Sequence, residues 1–221
     1  MILSDIAKVK EFLPVNKTLE FEKLQPFVAD AERIVEETIS TEFYEEMVSY
    51  LANPVPIKPY FDKVVLKLQD GISFLAFHLG FDILNTVFSN QGFHRIETED
   101  GSKKALFQRQ EENLKRTFKV QGYNKLDLAL EYLEKNKAEF STWTNSDAYT
   151  LMKSNFINST REFSSIYNIN NSRLVFQKLR NAQNLAEDFD IIPLIGRDLY
   201  DEIKTQIATD NLDEANQKFL P

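Results

Sequence analysis

Two histidines, His78 and His94, are the only imidazoles in the 221 residues, and there is no cysteine. The absence of cysteine removes thiolate nucleophiles, thiolate metal sites and disulfides together. No HExxH motif, no glycine-rich phosphate loop and no Ser-His-Asp ordering is present. His78 stands inside a strongly apolar stretch and reads as a hydrogen-bonded core residue. His94 lies in a hairpin or loop. The acidic pairs Glu36-Glu37, Glu45-Glu46 and Glu111-Glu112 are adjacent in sequence. Adjacent residues on a helix diverge, so none is a converged ligand pair. Glu97, Glu99 and Asp100 could hold a cation weakly, although an exposed acidic turn is the simpler reading. These residues imply no catalysis, no cofactor and no metal.

The densest basic run is Lys103, Lys104, Arg109, Lys115, Arg116 and Lys119. It could face nucleic-acid phosphates or an acidic partner, or form a solvated helix face diluted by Glu111 and Glu112. With Phe93, His94 and Arg95 just before it, this segment is the expected interaction surface. Phe93, Phe107, Phe118 and Trp143 sit in segments with little else apolar, which suits interface anchors. A net charge of −8 argues against a protein that coats nucleic acid.

Long helices must position these groups. Six Gly and seven Pro are too few for a turn-rich sandwich or barrel. The expected fold is mainly α: a helical bundle with a duplicated helix-turn-helix unit and a helical insert carrying a small β-hairpin. A helix over 58–88 repeats Phe61, Val64, Val65, Leu68, Ile72, Leu75 and Leu79 at steps of three and four. Charges interrupt it before it reaches the roughly 20 apolar residues of a membrane span, so it reads as the central core helix. Asn90-Gln91-Gly92 and Asp100-Gly101 are turn signals around the hairpin. Gly122 is expected to separate two charged helices, over 104–120 and 126–138. Ser146 or Asp147 opens a further helical stretch that runs through Phe156 and Phe163, and Ser172 caps the next.

One phrase occurs twice. Leu199-Tyr200-Asp201-Glu202-Ile203 answers Phe43-Tyr44-Glu45-Glu46-Met47, and Phe176-Gln177-Lys178-Leu179 answers Phe21-Glu22-Lys23-Leu24. One extra residue in the second copy reconciles the two registers. There Pro193 is expected to end a helix and Gly196 to turn the chain, whereas the first copy holds Glu37 and Ser40 and must turn by other means. Three segments follow: a first helical repeat unit with the long core helix at 1–89, an insert at 90–146, and a second, incomplete repeat unit at 147–221. The second unit lacks a helix like 58–88. Either a longer polypeptide or a neighbouring subunit is expected to cover it. Met1 to Asp5 lacks the features of a signal peptide. Asn158-Ser159-Thr160 and Asn170-Asn171-Ser172 match the glycosylation pattern by coincidence.

Three blocks carry a resemblance. They are Phe21-Glu22-Lys23-Leu24 with Ala31-Glu32 and Phe43-Tyr44; Leu126-Asp127-Leu128 with Leu133-Glu134 and Phe140-Ser141-Thr142-Trp143; and Ile192-Pro193-Leu194-Ile195-Gly196 with Leu199-Tyr200. In this order the chain resembles head–tail connector, or neck, proteins of tailed phages infecting gut Bacteroidetes-type bacteria. The resemblance implies a structural virion protein made in the host cytoplasm, not an enzyme. It implies a homo-oligomeric ring, roughly twelve-fold, built through a heterologous interface. Its implied partners are the portal protein, other neck or tail proteins, and DNA sliding past an acidic wall without specific binding. No membrane is implied. The alternative is a helical DNA- or protein-binding regulatory adaptor using the basic face.

Overall fold

The computed structural model describes residues 1–15, 19–89, 92–95, 107–208 and 211–219. The chain is mainly α-helical and divides into two compact units, Met1–Glu139 and Phe140–Pro221. Segment 107–139 therefore belongs to the first unit, and 140–146 to the second.

In the first unit, α1 (Ile6–Phe12) is capped by Asp5, whose Oδ1 accepts from Ala7 N at 2.8 Å. The adjacent Ser4 had the right side chain, but Asp5 takes the position. Helix α2 (Phe21–Ile39) and α3 (Thr41–Ala52) are joined by the single residue Ser40. Pro26 lies in the second turn of α2, where its missing N–H removes one ladder bond. Helix α4 (Pro59–Leu84) carries Val64, Leu68, Ile72 and Leu75 fully buried. Each such side chain contributes about 1.5–3 kcal/mol by leaving water. By length and composition α4 could cross a membrane, but here its apolar positions are largely spent on the unit's own core.

Helix α4 stops at Leu84 rather than Phe88. Residues Thr86–Ser89 (β1) and Gly92–Arg95 (β2) pair antiparallel, with Val87 opposite His94 and Phe88 opposite Phe93. The β-branched and aromatic residues there suit a pleated backbone better than a helix end.

Gly122 does not break a helix. Helix α5 runs without interruption from Gln108 to Lys135. Gly122 is buried against α4, and a Cβ there would stand 2.7 Å from Leu75 Cδ2 and 3.1 Å from Leu75 N. Gly71 of α4 meets the same crossing: its Cβ would lie 3.3 Å from Leu126 N. The two glycines let the two backbones approach closely, a reason local pattern cannot reveal. Phe118 packs beside Phe74, Phe77 and Phe81, its ring 5.6 Å from that of Phe77. It is half-buried among these rings rather than a free anchor. His78 lies half-buried on α4; its Nδ1 has no partner among the described residues. Burial pushes its pKa below the usual value, aided by Lys119 and Lys115 and opposed by a backbone hydrogen bond at Lys115 and by Asp82. The expected fully hydrogen-bonded histidine is thus only part-satisfied.

The second unit is built from shorter pieces. After α6 (Ser141–Thr144), Ser146 caps α7 (Asp147–Met152), accepting from Tyr149 N at 3.3 Å. The helix does not continue to Phe156 as its apolar residues suggest. Residues 155–159 carry no regular structure, and α8 spans Thr160–Ile166. Trp143 is buried, edge-on to Tyr149 at 4.6 Å, and so is a core residue rather than an anchor. Ser172 caps α9 (Arg173–Ala186), accepting from Val175 N. A π-turn over Glu187–Ile191 leads into α10 (Ile192–Ile195), and α11 spans Arg197–Ala208. Pro193 does not end the helix; the chain stays helical through Ile195, and Gly196 makes the turn.

Candidate functional site

Two buried carboxylates organise the units, one in each. Glu32 sits on α2 and is buried. Its Oε1 accepts from Leu3 N at 2.7 Å and its Oε2 from the Tyr44 hydroxyl at 2.7 Å. Glu187 opens the π-turn of the second unit and is also buried. Its Oε1 accepts from Phe156 N at 2.6 Å and its Oε2 from the Tyr200 hydroxyl at 2.7 Å. In each unit, then, one carboxylate ties a non-helical segment to the helix beyond the turn. Charge-assisted bonds of this kind are stronger than neutral ones.

The second clamp has one further member. Lys204 Nζ reaches Glu187 Oε2 at 3.0 Å and donates to Ser154 O. Lys204 also lies over the Tyr200 ring, 5.2 Å from its centroid, while Tyr200 stacks on Phe156 at 5.0 Å. Both tyrosines have pKa values raised well above the phenol range, by burial first and then by the hydrogen bond to the carboxylate. Each therefore stays a neutral donor facing an acceptor. A fully partnered carboxylate and a phenol held neutral make a lock rather than a reactive pair.

The turns beside the clamps share a conformation. Ser40 adopts φ 85°, ψ 150°, and Gly196 adopts φ 85°, ψ 154°. That region is open to glycine and costs other residues about 1–3 kcal/mol. So the chain turns in the same way at both places, at the expense of strain in Ser40. The Ser40 hydroxyl offsets part of this by accepting from Phe43 N at 3.3 Å. Ser40→Gly is expected to stabilise the first unit by about 1 kcal/mol, since glycine is nearly as good an N-cap. Gly196→Ser is expected to destabilise the second unit by a similar amount, with nothing within 4 Å of its Cβ to share the cost. Chemical denaturation of the two variants checks both signs.

The expected interaction residues divide. Phe93, His94 and Arg95 form β2. Lys103 and Lys104 lie outside the described residues, as do Glu97, Glu99 and Asp100. Arg109 and Arg116 are exposed on α5, seven positions apart and so on one side of it. Lys115 turns away from them and pairs with Asp82 of α4 at 2.5 Å. The basic run is thus split between an internal ion pair and an outward face that also carries Lys119. Phe107 remains exposed at 80%.

The two clamp glutamates do not stand out by periodicity, although the sequence carries a signal for them. Aligning the repeated phrases sets Ala31-Glu32 against Ala186-Glu187 and Tyr44 against Tyr200, identical residues in both phrases. Among the described residues, no group of three or more His, Asp and Glu converges on a metal-sized site. No curated protein and no solved structure matches the chain significantly. A family model, described as a family of unknown function, matches residues 24–151, which takes in the first clamp's Glu32 and Tyr44 and all of α4 and α5. The chain belongs to that family, DUF6712.

Proposed function

We propose that this chain is a structural virion protein: a head–tail connector whose copies form a homo-oligomeric ring at the phage neck, between portal and tail. It works without catalysis or cofactor. Each of its two units contains a copy of one ancestral helix-turn-helix, closed by its own carboxylate clamp. The observation that carries the duplication is the repeated clamp. Glu32 and Tyr44 are 12 residues apart, and Glu187 and Tyr200 are 13 apart. The π-turn at Glu187–Ile191 takes up the added residue.

The ring reading rests on the whole-chain resemblance and on how differently the two copies meet solvent. Leu185, Phe189 and Leu194 are exposed in the second. Around the matching stretch of the first, Asp30 and Arg33 are exposed and ion-paired instead. Exposed apolar groups beside charged ones mark contact surfaces rather than finished exteriors. The net charge of −8 suits a wall past which DNA slides.

Negative-stain electron microscopy of the purified protein tests this reading, with annular particles expected. A field of single small particles, together with salt-dependent DNA binding that Lys115→Ala/Arg116→Ala abolishes, would favour the regulatory adaptor instead.

A further inference from the structure

We infer that the stretch from the end of α9 through the π-turn to α10 is the docking knob for a second copy of this chain, which receives it on the outer face of α5. The inference rests on the ring reading and supplies its contact.

The knob is Leu185, Asp188, Phe189, Asp190 and Leu194. Phe189 and Leu194 are 73% and 85% exposed, values far from those of a spent core residue. Leu185 and Phe189 are four positions apart and so neighbour each other along the helix. The π-turn between Glu187 and Ile191 widens the helix there, and the buried Glu187 clamp anchors its inner side. π-turns of this kind re-aim side chains and recur at functional positions. Asp188 and Asp190 are exposed and make this apolar end acidic.

The first unit offers an internal comparison. In register with the clamps and turns, Leu185 stands where the first copy has Asp30, and Leu194 where it has Thr38. Asp30 pairs with Arg33 at 3.3 Å, and the Thr38 hydroxyl donates to Ile34 O at 2.7 Å. The fold itself therefore does not require apolar residues at these places.

Charge names the occupant. On α5, Arg109, Arg116 and Val120 share one side, with Lys119 beside them. All four are exposed, and Val120 is 46% so. Glu112 is exposed on that helix as well, where it accepts from Gln108 Nε2 at 2.9 Å, so Arg109, Arg116 and Lys119 stand against one carboxylate and the face stays net basic. An acidic apolar knob and a basic face with an apolar centre are complementary, and complementary charge fixes register and partner choice. Knob and face are different surfaces, so the contact is heterologous and propagates around a ring instead of stopping at a pair.

The test uses the absence of cysteine from the whole chain. A chain carrying Phe189→Cys and Val120→Cys is expected to give, on mild oxidation, a reductant-sensitive ladder extending beyond dimer. Each single variant is expected to give nothing above dimer. Asp188→Lys/Asp190→Lys is expected to weaken self-association about tenfold, and mixing it with Arg116→Glu/Lys119→Glu to restore it. Both charge variants alter only exposed positions, so their circular dichroism should match the wild type. Efficient dimers from Phe189→Cys alone would mean that the knob pairs with itself, which overturns the inference. An oligomeric wild type without a ladder overturns it too, but leaves the ring reading standing. A wild type that never associates removes both.

Discussion

Glu187→Ala is expected to destabilise the second unit by about 3–5 kcal/mol, enough to unfold much of it at room temperature. The carboxylate serves three donors: Phe156 N, the Tyr200 hydroxyl and Lys204 Nζ. Removing it leaves a backbone N–H and a hydroxyl without their acceptor, at about 1–3 kcal/mol each. It also strands a half-buried ammonium. Glu187→Gln keeps one oxygen and should fall between wild type and Ala. Tyr200→Phe should cost only about 1 kcal/mol, because the carboxylate keeps its other two partners. The chain supplies its own probe: its single tryptophan, Trp143, is buried in the second unit. Its fluorescence against urea reads that unit alone. Glu32→Ala should leave the tryptophan transition in place and lower the stability of the first unit instead. If Glu187→Ala shifts the tryptophan midpoint by less than Tyr200→Phe does, the clamp is not what closes the unit.

The second large effect is expected at the α4–α5 crossing. Gly122→Val should destabilise the first unit by about 3 kcal/mol. Its Cβ would meet the Leu75 side chain at 2.7 Å and the Leu75 backbone at 3.1 Å, and backbone cannot step aside as a flexible side chain can. Valine is no better than an ordinary helix former, so improved propensity recovers little of the loss. Helical circular dichroism should melt earlier, while Trp143 fluorescence keeps its midpoint. A Gly122→Val chain as stable as the wild type would mean that the two helices can separate without cost.

These two sites show where sequence reading works and where it stops. The α4 stripe, the caps at Ser146 and Ser172, and the turn at Gly196 follow from local spacing and local hydrogen bonding, whereas Ser40, expected to turn by other means, adopts the conformation of Gly196. Gly122 was legible only as a glycine. Its role comes from a helix some fifty positions earlier in the chain, so a local pattern reads a break where the structure has a close crossing. Trp143 and Phe118 looked isolated because their partners lie outside their own apolar windows, Phe118's on another helix. Glu187 looked like any surface carboxylate; the donor Phe156 N that buries it is 31 residues away. Only the comparison of the two phrases, which holds Glu and Tyr fixed, carried a trace of it. Even then the alignment gave no sign that the added residue would sit in a π-turn.

The claim that the chain assembles into a closed ring is tested most directly by native mass measurement across a concentration series. One dominant species is expected, at a fixed whole-number multiple of 25.7 kDa, that stops growing once formed. A single 25.7 kDa species at every concentration, or growth without limit, would contradict it.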